Sequence, residues 1–206
     1  MGSVVFLEKI FMEPPREKIY QRLGYKKRTT TLSSGQQKQT DLFIREAASV
    51  IALRGVFLRL PIVHHDGKTI FLSENIQLSS EKLSVFLRDC REAVLMGATA
   101  GNAVMEAIRE KTRQDDLAAA VVYDATASEM TDATLDWIMN YLNGLLRREG
   151  KSLLPRRFSA GYAAFSLENQ KIIYDILQME KIDVKINPSY LLLPEKSVTA
   201  VGGICG

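Results

Sequence analysis

Apolar residues recur at two spacings along this chain. From Thr131 to Arg148, the residues Leu135, Ile138, Met139, Leu142, Leu145 and Leu146 fall three or four apart, the stripe of an amphipathic helix. Asp136, Asn140, Asn143 and Arg147 take the opposite face. Thr131 is placed to cap this helix, Asp132 opens it, two arginines finish it as the dipole prefers, and Gly150 stops it. Leu83, Phe86, Leu87, Cys90, Val94 and Leu95 repeat the spacing after Ser80, a good cap, so a second core-facing helix is expected, with Cys90 a small buried hydrophobe. Ile172, Ile173, Ile176 and Leu177 give a third, capped by Ser166.

Strict alternation marks strands. Val56, Leu58, Leu60 and Ile62 alternate, Asp66-Gly67 supplies a turn, and Thr69 to Leu72 returns, which predicts a hairpin. Ile182, Val184 and Ile186 alternate with Asp183 and Lys185. Residues 4–11 and 197–201 also read as strands, and 202–206 as a mobile tail. Pro14-Pro15 opens a helix that Gly24 ends, 26–40 is polar and reads as a loop, Leu42 to Leu53 is a helix before Gly55, and 102–112 is another. Asp116 to Ala127 suits strand or helix, and its alanines favour helix. Helices and strands do not alternate regularly, and no repeat or linker interrupts them. The expectation is one domain over residues 1–206, of α+β class, with helices packed on a twisted, mainly antiparallel sheet.

Composition narrows function by exclusion. A net charge of +3 on 206 residues is too mild to argue for nucleic acid. The clusters Lys26-Lys27-Arg28 and Arg156-Arg157 have no interleaved aromatics and read as solvated surface. Two cysteines make no disulfide scaffold. No apolar run approaches the ~20 residues of a membrane span, and the N-terminus lacks the basic region and cleavage site of a signal peptide, so cytoplasmic residence is expected. His64 and His65 are adjacent on a strand and point to opposite faces, so a structural role is favoured over metal or acid–base work. Gly97-Ala98-Thr99-Ala100-Gly101 lacks the spacing and the following Lys of a phosphate loop; tight packing between helices is the favoured reading.

Richer chemistry is found near the C-terminus. Arg156-Arg157-Phe158-Ser159-Ala160-Gly161-Tyr162 forms a basic, small-residue loop that runs into a helix. Unpaired N–H groups at a helix start favour a polar ligand, and Arg157 can add a forked donor for a carboxylate. The same composition also suits a plain connector. The stretch R-F-S-A-G-Y-A-A, followed by a helix, a strand and S-Y-x-L-x-P-x-x-S-V, resembles the activation domain of cobalamin-dependent methionine synthase, which reads R-P-x-P-G-Y-P-A-C-P and ends in P-x-x-S-V. The similarity is best over residues 132–201 and looser over 80–130; before residue 80 it is a general likeness to small stand-alone versions.

That resemblance implies an S-adenosylmethionine (AdoMet) site. Arg157 would meet the methionyl carboxylate, Ser159 and Gly161 would offer backbone groups to the nucleoside, and Tyr162 would line the pocket. Asp136 stands where the family has a Glu that touches the ligand; on periodicity alone it is a solvated carboxylate. Ala163-Ala164-Phe165 replaces the family's Pro-Ala-Cys, and the chain stops at Gly206 where the family continues. The implied role is a component of methyltransferase reactivation in methionine biosynthesis. It would work with cobalamin (vitamin B12) carried by a separate methionine synthase chain that lacks this domain. A flavodoxin-like or ferredoxin-like reductant would supply the electron. The alternative is a module that docks on a corrinoid protein without binding AdoMet.

Overall fold

The computed structural model describes every residue except 1, 2, 27, 28, 74, 75 and 163. Residues 27 and 28 of the basic cluster and residue 163 of the loop therefore lie outside the described residues. Among the described residues the first half of the chain runs β1 (Val5–Leu7), α1 (Arg16–Arg22), α2 (Ser34–Val50), β2 (Arg54–Pro61), β3 (His64–His65), β4 (Thr69–Ser73), β5 (Ile76–Ser79), α3 (Glu81–Leu87) and β6 (Glu92–Thr99). It continues through α4 (Ala103–Arg113), α5 (Leu117–Leu146), β7 (Ser152–Leu153), α6 (Asn169–Leu177), β8 (Lys185–Ile186), β9 (Leu192–Leu193) and β10 (Ser197–Cys205). The main sheet has the order β1-β2-β6-β10-β7, every pair antiparallel. With helices packed on it, the class is α+β, as the pattern predicts.

Strands β6 and β10 are buried on both faces. Val94, Met96 and Ala98 of β6 pack under Leu135, Ile138, Met139, Leu142 and Leu146 of α5. Ala93 and Leu95 face the other way, onto α3, α6 and the small β3-β4-β5 sheet. A strand covered on both sides has no polar face, so its sequence shows an apolar run instead of alternation. This is why 90–99 looks like the continuation of a helix. The expected helix ends at Leu87, and Val94 and Leu95 belong to the central strand; Ser80 does cap α3, accepting from the Leu83 N–H at 3.2 Å. Gly97 sits within that strand, where a Cβ would lie 2.8 Å from Met179 Cε, so Gly97 to Thr99 are sheet core and Ala100-Gly101 the turn that follows, not a phosphate loop.

The tail is the second correction. Residues 202–206 do not trail away: β10 pairs with β6 from Ser197 to Ile204 and reaches β7 through Cys205. A Cβ on Gly203 would come within 2.6 Å of Cys90 Sγ, 2.8 Å of Leu87 Cδ2 and 2.9 Å of Leu154 Cδ1. Gly203 is there because only a bare backbone fits under the end of α3. Cys90 is buried, as expected, but in the turn before β6; burial and a hydrogen bond with Cys205 push its thiol up to about 12.

Other boundaries moved for local reasons. α5 is continuous over 30 residues, about 45 Å, and joins the two helices expected at 116–127 and 131–148. Thr131 does not cap; its hydroxyl donates to the Ala127 carbonyl one turn back at 2.7 Å, and Asp116 caps instead, accepting from the Ala119 N–H. The polar stretch expected as loop contains a capping box, Ser33 with Gln36, that starts α2 well before Leu42. Asp66-Gly67 does make its turn, but β4 returns onto His64–His65 and not onto β2. The strand expected over 182–186 is a short 3-10 turn, Met179–Ile182, followed by Asp183 at φ 59°; only Lys185–Ile186 pair, with β9.

Candidate functional site

Past β7 the chain stays beside β10. The Leu154 N–H donates to the Gly203 carbonyl at 2.8 Å, and Phe158 exchanges both backbone bonds with Val201 at 2.9 and 2.7 Å. Alternation along this edge sends successive side chains to opposite faces. Phe158 goes toward α3, its ring centroid 5.0 Å from that of Phe86, and Arg157 goes toward α5.

There the Arg157 guanidinium meets two acids one helical turn apart. Nη2 donates to Asp132 Oδ1 at 2.7 Å and to the Asp132 carbonyl at 3.3 Å. Nη1 donates to Asp136 Oδ1, with Met139 Sδ 3.7 Å away. The other Asp136 oxygen accepts from Lys18 Nζ of α1 at 3.0 Å. The chain Lys18–Asp136–Arg157–Asp132 thus alternates in sign. The Arg157 side chain is only 18% exposed, whereas those of Asp136 and Asp132 are 41% and 49% exposed. Burial pushes the Asp136 carboxyl up, but hydrogen bonds from Arg157 and Lys18 outweigh it and hold the group below its ordinary value. For Arg157, burial works against the charge, and the bonds to Asp132 and Asp136 more than offset it.

Beyond Phe158 the loop folds on itself. The Gly161 N–H, at φ 87°, donates to the Phe165 carbonyl at 2.7 Å, and the Phe165 N–H donates to the Tyr162 carbonyl at 2.9 Å. Phe165 is fully buried and pegs the loop to the core. α6 does not start at once: it begins at Asn169, and the N–H groups of 169, 170 and 171 donate to the carbonyls of 166, 167 and 168. The free N–H groups expected at this helix start are therefore spent within the turn. Ser166 accepts from the Glu168 N–H at 3.4 Å, three residues ahead of α6, and is not its cap.

A cleft of 390 Å³ opens between this loop and α5, lined by Asp132, Arg157, Phe158, Ser159, Tyr162 and Val198. The volume falls in the range of small-molecule sites, roughly 300–1,000 Å³. Arg157, Ser159 and Tyr162 come together on its wall, Tyr162 at the rim with 72% exposure. Asp136 stands behind Arg157 and Gly161 within the folded loop; neither lines the cleft. Two further hollows continue from it. One holds Arg22, Ser128, Lys196 and Val198, the other Lys18, Arg22 and Glu129, and Asp132 lines both. A separate 570 Å³ cavity by β1, lined by Ile10, Phe11, Arg54 and Lys181 among others, shares no residue with these; its Arg54 is turned to Asp183 at 2.5 Å. Among the described residues no cluster of His, Cys, Asp or Glu is arranged to hold a metal ion, and no helix is long and apolar enough to cross a membrane.

Phe158 and Val198 of the cleft wall were not anticipated, nor were two charged members of the site, Asp132 and Lys18. Asp132 could have been, because it lies four residues before Asp136 and a helix places such a pair on one side. Lys18 carries no local signal; 118 residues separate it from Asp136, and only the docking of α1 against α5 joins them.

No family model matches the chain, and no curated protein matches it in sequence. Among solved structures the chain is similar to the MetH reactivation domain bound to AdoHcy, with a TM-score of 0.69 and 13% identity, over 98% of this chain and 78% of that one. At this identity the likeness is one of fold, and the fold is that of the MetH reactivation domain.

Proposed function

We propose that the chain binds AdoMet in the cleft between the 157–162 loop and α5. In this reading it acts as an activation subunit for a cobalamin-dependent methionine synthase that lacks this domain, supporting reductive remethylation of cob(II)alamin. The observation that carries the reading is the fold likeness over nearly the whole chain to a reactivation domain bound to AdoHcy. The cleft at the arginine loop, where that ligand class would meet Arg157, Ser159 and Tyr162, adds to it. A sulfonium methyl is already activated toward a reduced corrin, so the donor needs orientation more than acid–base help. The chain offers that kind of site: a guanidinium for a carboxylate, a loop and an aromatic rim for the rest of the ligand, and one acid, Asp132, on the wall. Cobalamin would be carried by the partner, and a flavodoxin-like or ferredoxin-like protein would supply the electron.

Isothermal titration with AdoMet tests the first step, with Arg157→Ala as the control. The expected result is saturable binding that the variant loses. The second step is followed by absorbance. Methylcobalamin should form on a methionine synthase trimmed of its reactivation domain, in the presence of AdoMet and reduced flavodoxin, only when this chain is added.

One observation favours a second reading, a docking module for a corrinoid protein that does not bind AdoMet. Arg157 already has two carboxylate partners of its own. No heat at millimolar AdoMet, together with capture of the cobalamin module, would leave that reading standing alone.

A further inference from the structure

We infer that Asp132 is a specificity-determining residue of this cleft: it yields Arg157 to a ligand carboxylate and in exchange takes the ligand's adjacent cation, so the site selects zwitterionic amino-acid heads over plain carboxylates. The inference rests on the small-molecule reading of the cleft.

The geometry singles out which acid must move. Both terminal nitrogens of Arg157 are engaged, one by each acid. Asp136 has a second cation, Lys18 at 3.0 Å, that keeps it paired when Arg157 turns away. For Asp132 the close ion pair is the one to Arg157 at 2.7 Å. Asp136 also stands outside the cleft, whereas Asp132 lines it and both hollows that continue from it. Asp132 is therefore the contact an incoming carboxylate displaces.

Charge then sets the ligand class. Lys18, Asp136, Arg157 and Asp132 together are neutral. A plain carboxylate that takes Nη2 leaves Asp132 without its cation and adds a second anion beside it. Like charges that close in a half-buried site oppose one another. A carboxylate with an ammonium on the neighbouring carbon exchanges one ion pair for two, Arg157 with the carboxylate and Asp132 with the ammonium, and neutrality is kept. Asp132 lies mid-way along α5 with its side chain half exposed, so it can change rotamer without moving backbone.

The test is a ratio of affinities. AdoHcy and its desamino analogue share the nucleoside, the thioether and the carboxylate, and differ only in the ammonium. Isothermal titration of the wild-type chain should show AdoHcy preferred by about tenfold or more, the size of one charge-assisted contact. Asp132→Asn should shrink that preference to within about threefold, by weakening AdoHcy while leaving the analogue unchanged or tighter. Asp132→Ser serves as a second variant if the first folds poorly, with folding checked by thermal melting. A preference that is the same in the variants as in the wild type, or absent from the wild type, overturns the inference. If AdoHcy does not bind the wild type at all, the adenosyl reading falls first. L-Methionine against its desamino analogue then judges Asp132 by itself: discrimination that Asp132→Asn abolishes upholds the exchange, and its absence overturns it.

Discussion

Helix α5 looks two ways, and its two faces are built on different physics. One face sets Leu135, Ile138, Leu142 and Leu146 into the sheet, all fully buried against Val94, Met96, Ala98 and Ala200. The other presents Asp132 and Asp136 to Arg157 and Lys18, with Asp132 and Arg157 lining the cleft. Each large side chain on the first face contributes about 1.5–3 kcal/mol through burial, and that holds only while its shape is matched. Each ion pair on the second contributes at most about 1 kcal/mol after solvent screening, and its partners can be exchanged. The lesson is a division of labour: the apolar face fixes where the acids stand, and the charged face, being cheap to rearrange, is where a ligand can be admitted.

The largest blow to this contrast falls on the apolar side. Leu142→Ala should lower unfolding free energy by about 3 kcal/mol, read from urea melts, because the space beneath a fully buried leucine cannot collapse. AdoMet affinity measured well below the melt should be unchanged; a selective loss of binding would mean the two faces are coupled.

Gly203→Val probes the same core from the sheet. It drives a side chain into Cys90, Leu87 and Leu154, and should cost about 2 kcal/mol in the same melts. Unaltered stability would show that β10 lies looser under α3 than its glycine contacts indicate.

On the charged side, Arg157→Ala should change stability by no more than about 1 kcal/mol, since both freed acids can rehydrate. It should nonetheless lower AdoMet affinity by about tenfold or more by calorimetry, the loss of one charge-assisted carboxylate contact. A large drop in melting temperature with affinity intact would reverse the assignment of the two faces.

The smallest effect is in pH. The folded Asp136 carboxyl titrates below its ordinary value of 3.8, so its stabilisation is complete above that value and is lost as pH falls through the depressed one. Melting curves of wild type and Asp136→Asn should differ by a small, constant amount at neutral pH and converge as the medium becomes more acidic than about pH 4. A gap that widens in acid would contradict the ion pairing.

Much of this was present in residue order. The α5 stripe from Leu135 to Leu146, the Ser80 cap, the Asp66-Gly67 turn and the α+β class all follow from local spacing, because each is set by neighbours within a turn or two. Arg157, Ser159 and Tyr162 could be named from a loop motif, and the same loop lines a cleft. The misreadings share a cause. A strand covered on both faces, as β6 is, loses the alternation that marks strands, and a glycine-rich end such as 202–206 looks mobile until α3 closes over it. Short-range order thus determined the apolar stripe of α5, the start of α3 and where an arginine loop stands. Only the tertiary structure could decide that β10 is an interior strand, that Lys18 crosses to Asp136, and that Arg157 rests between two acids, because those facts depend on contacts between residues far apart in the chain, whose free energy no local pattern records.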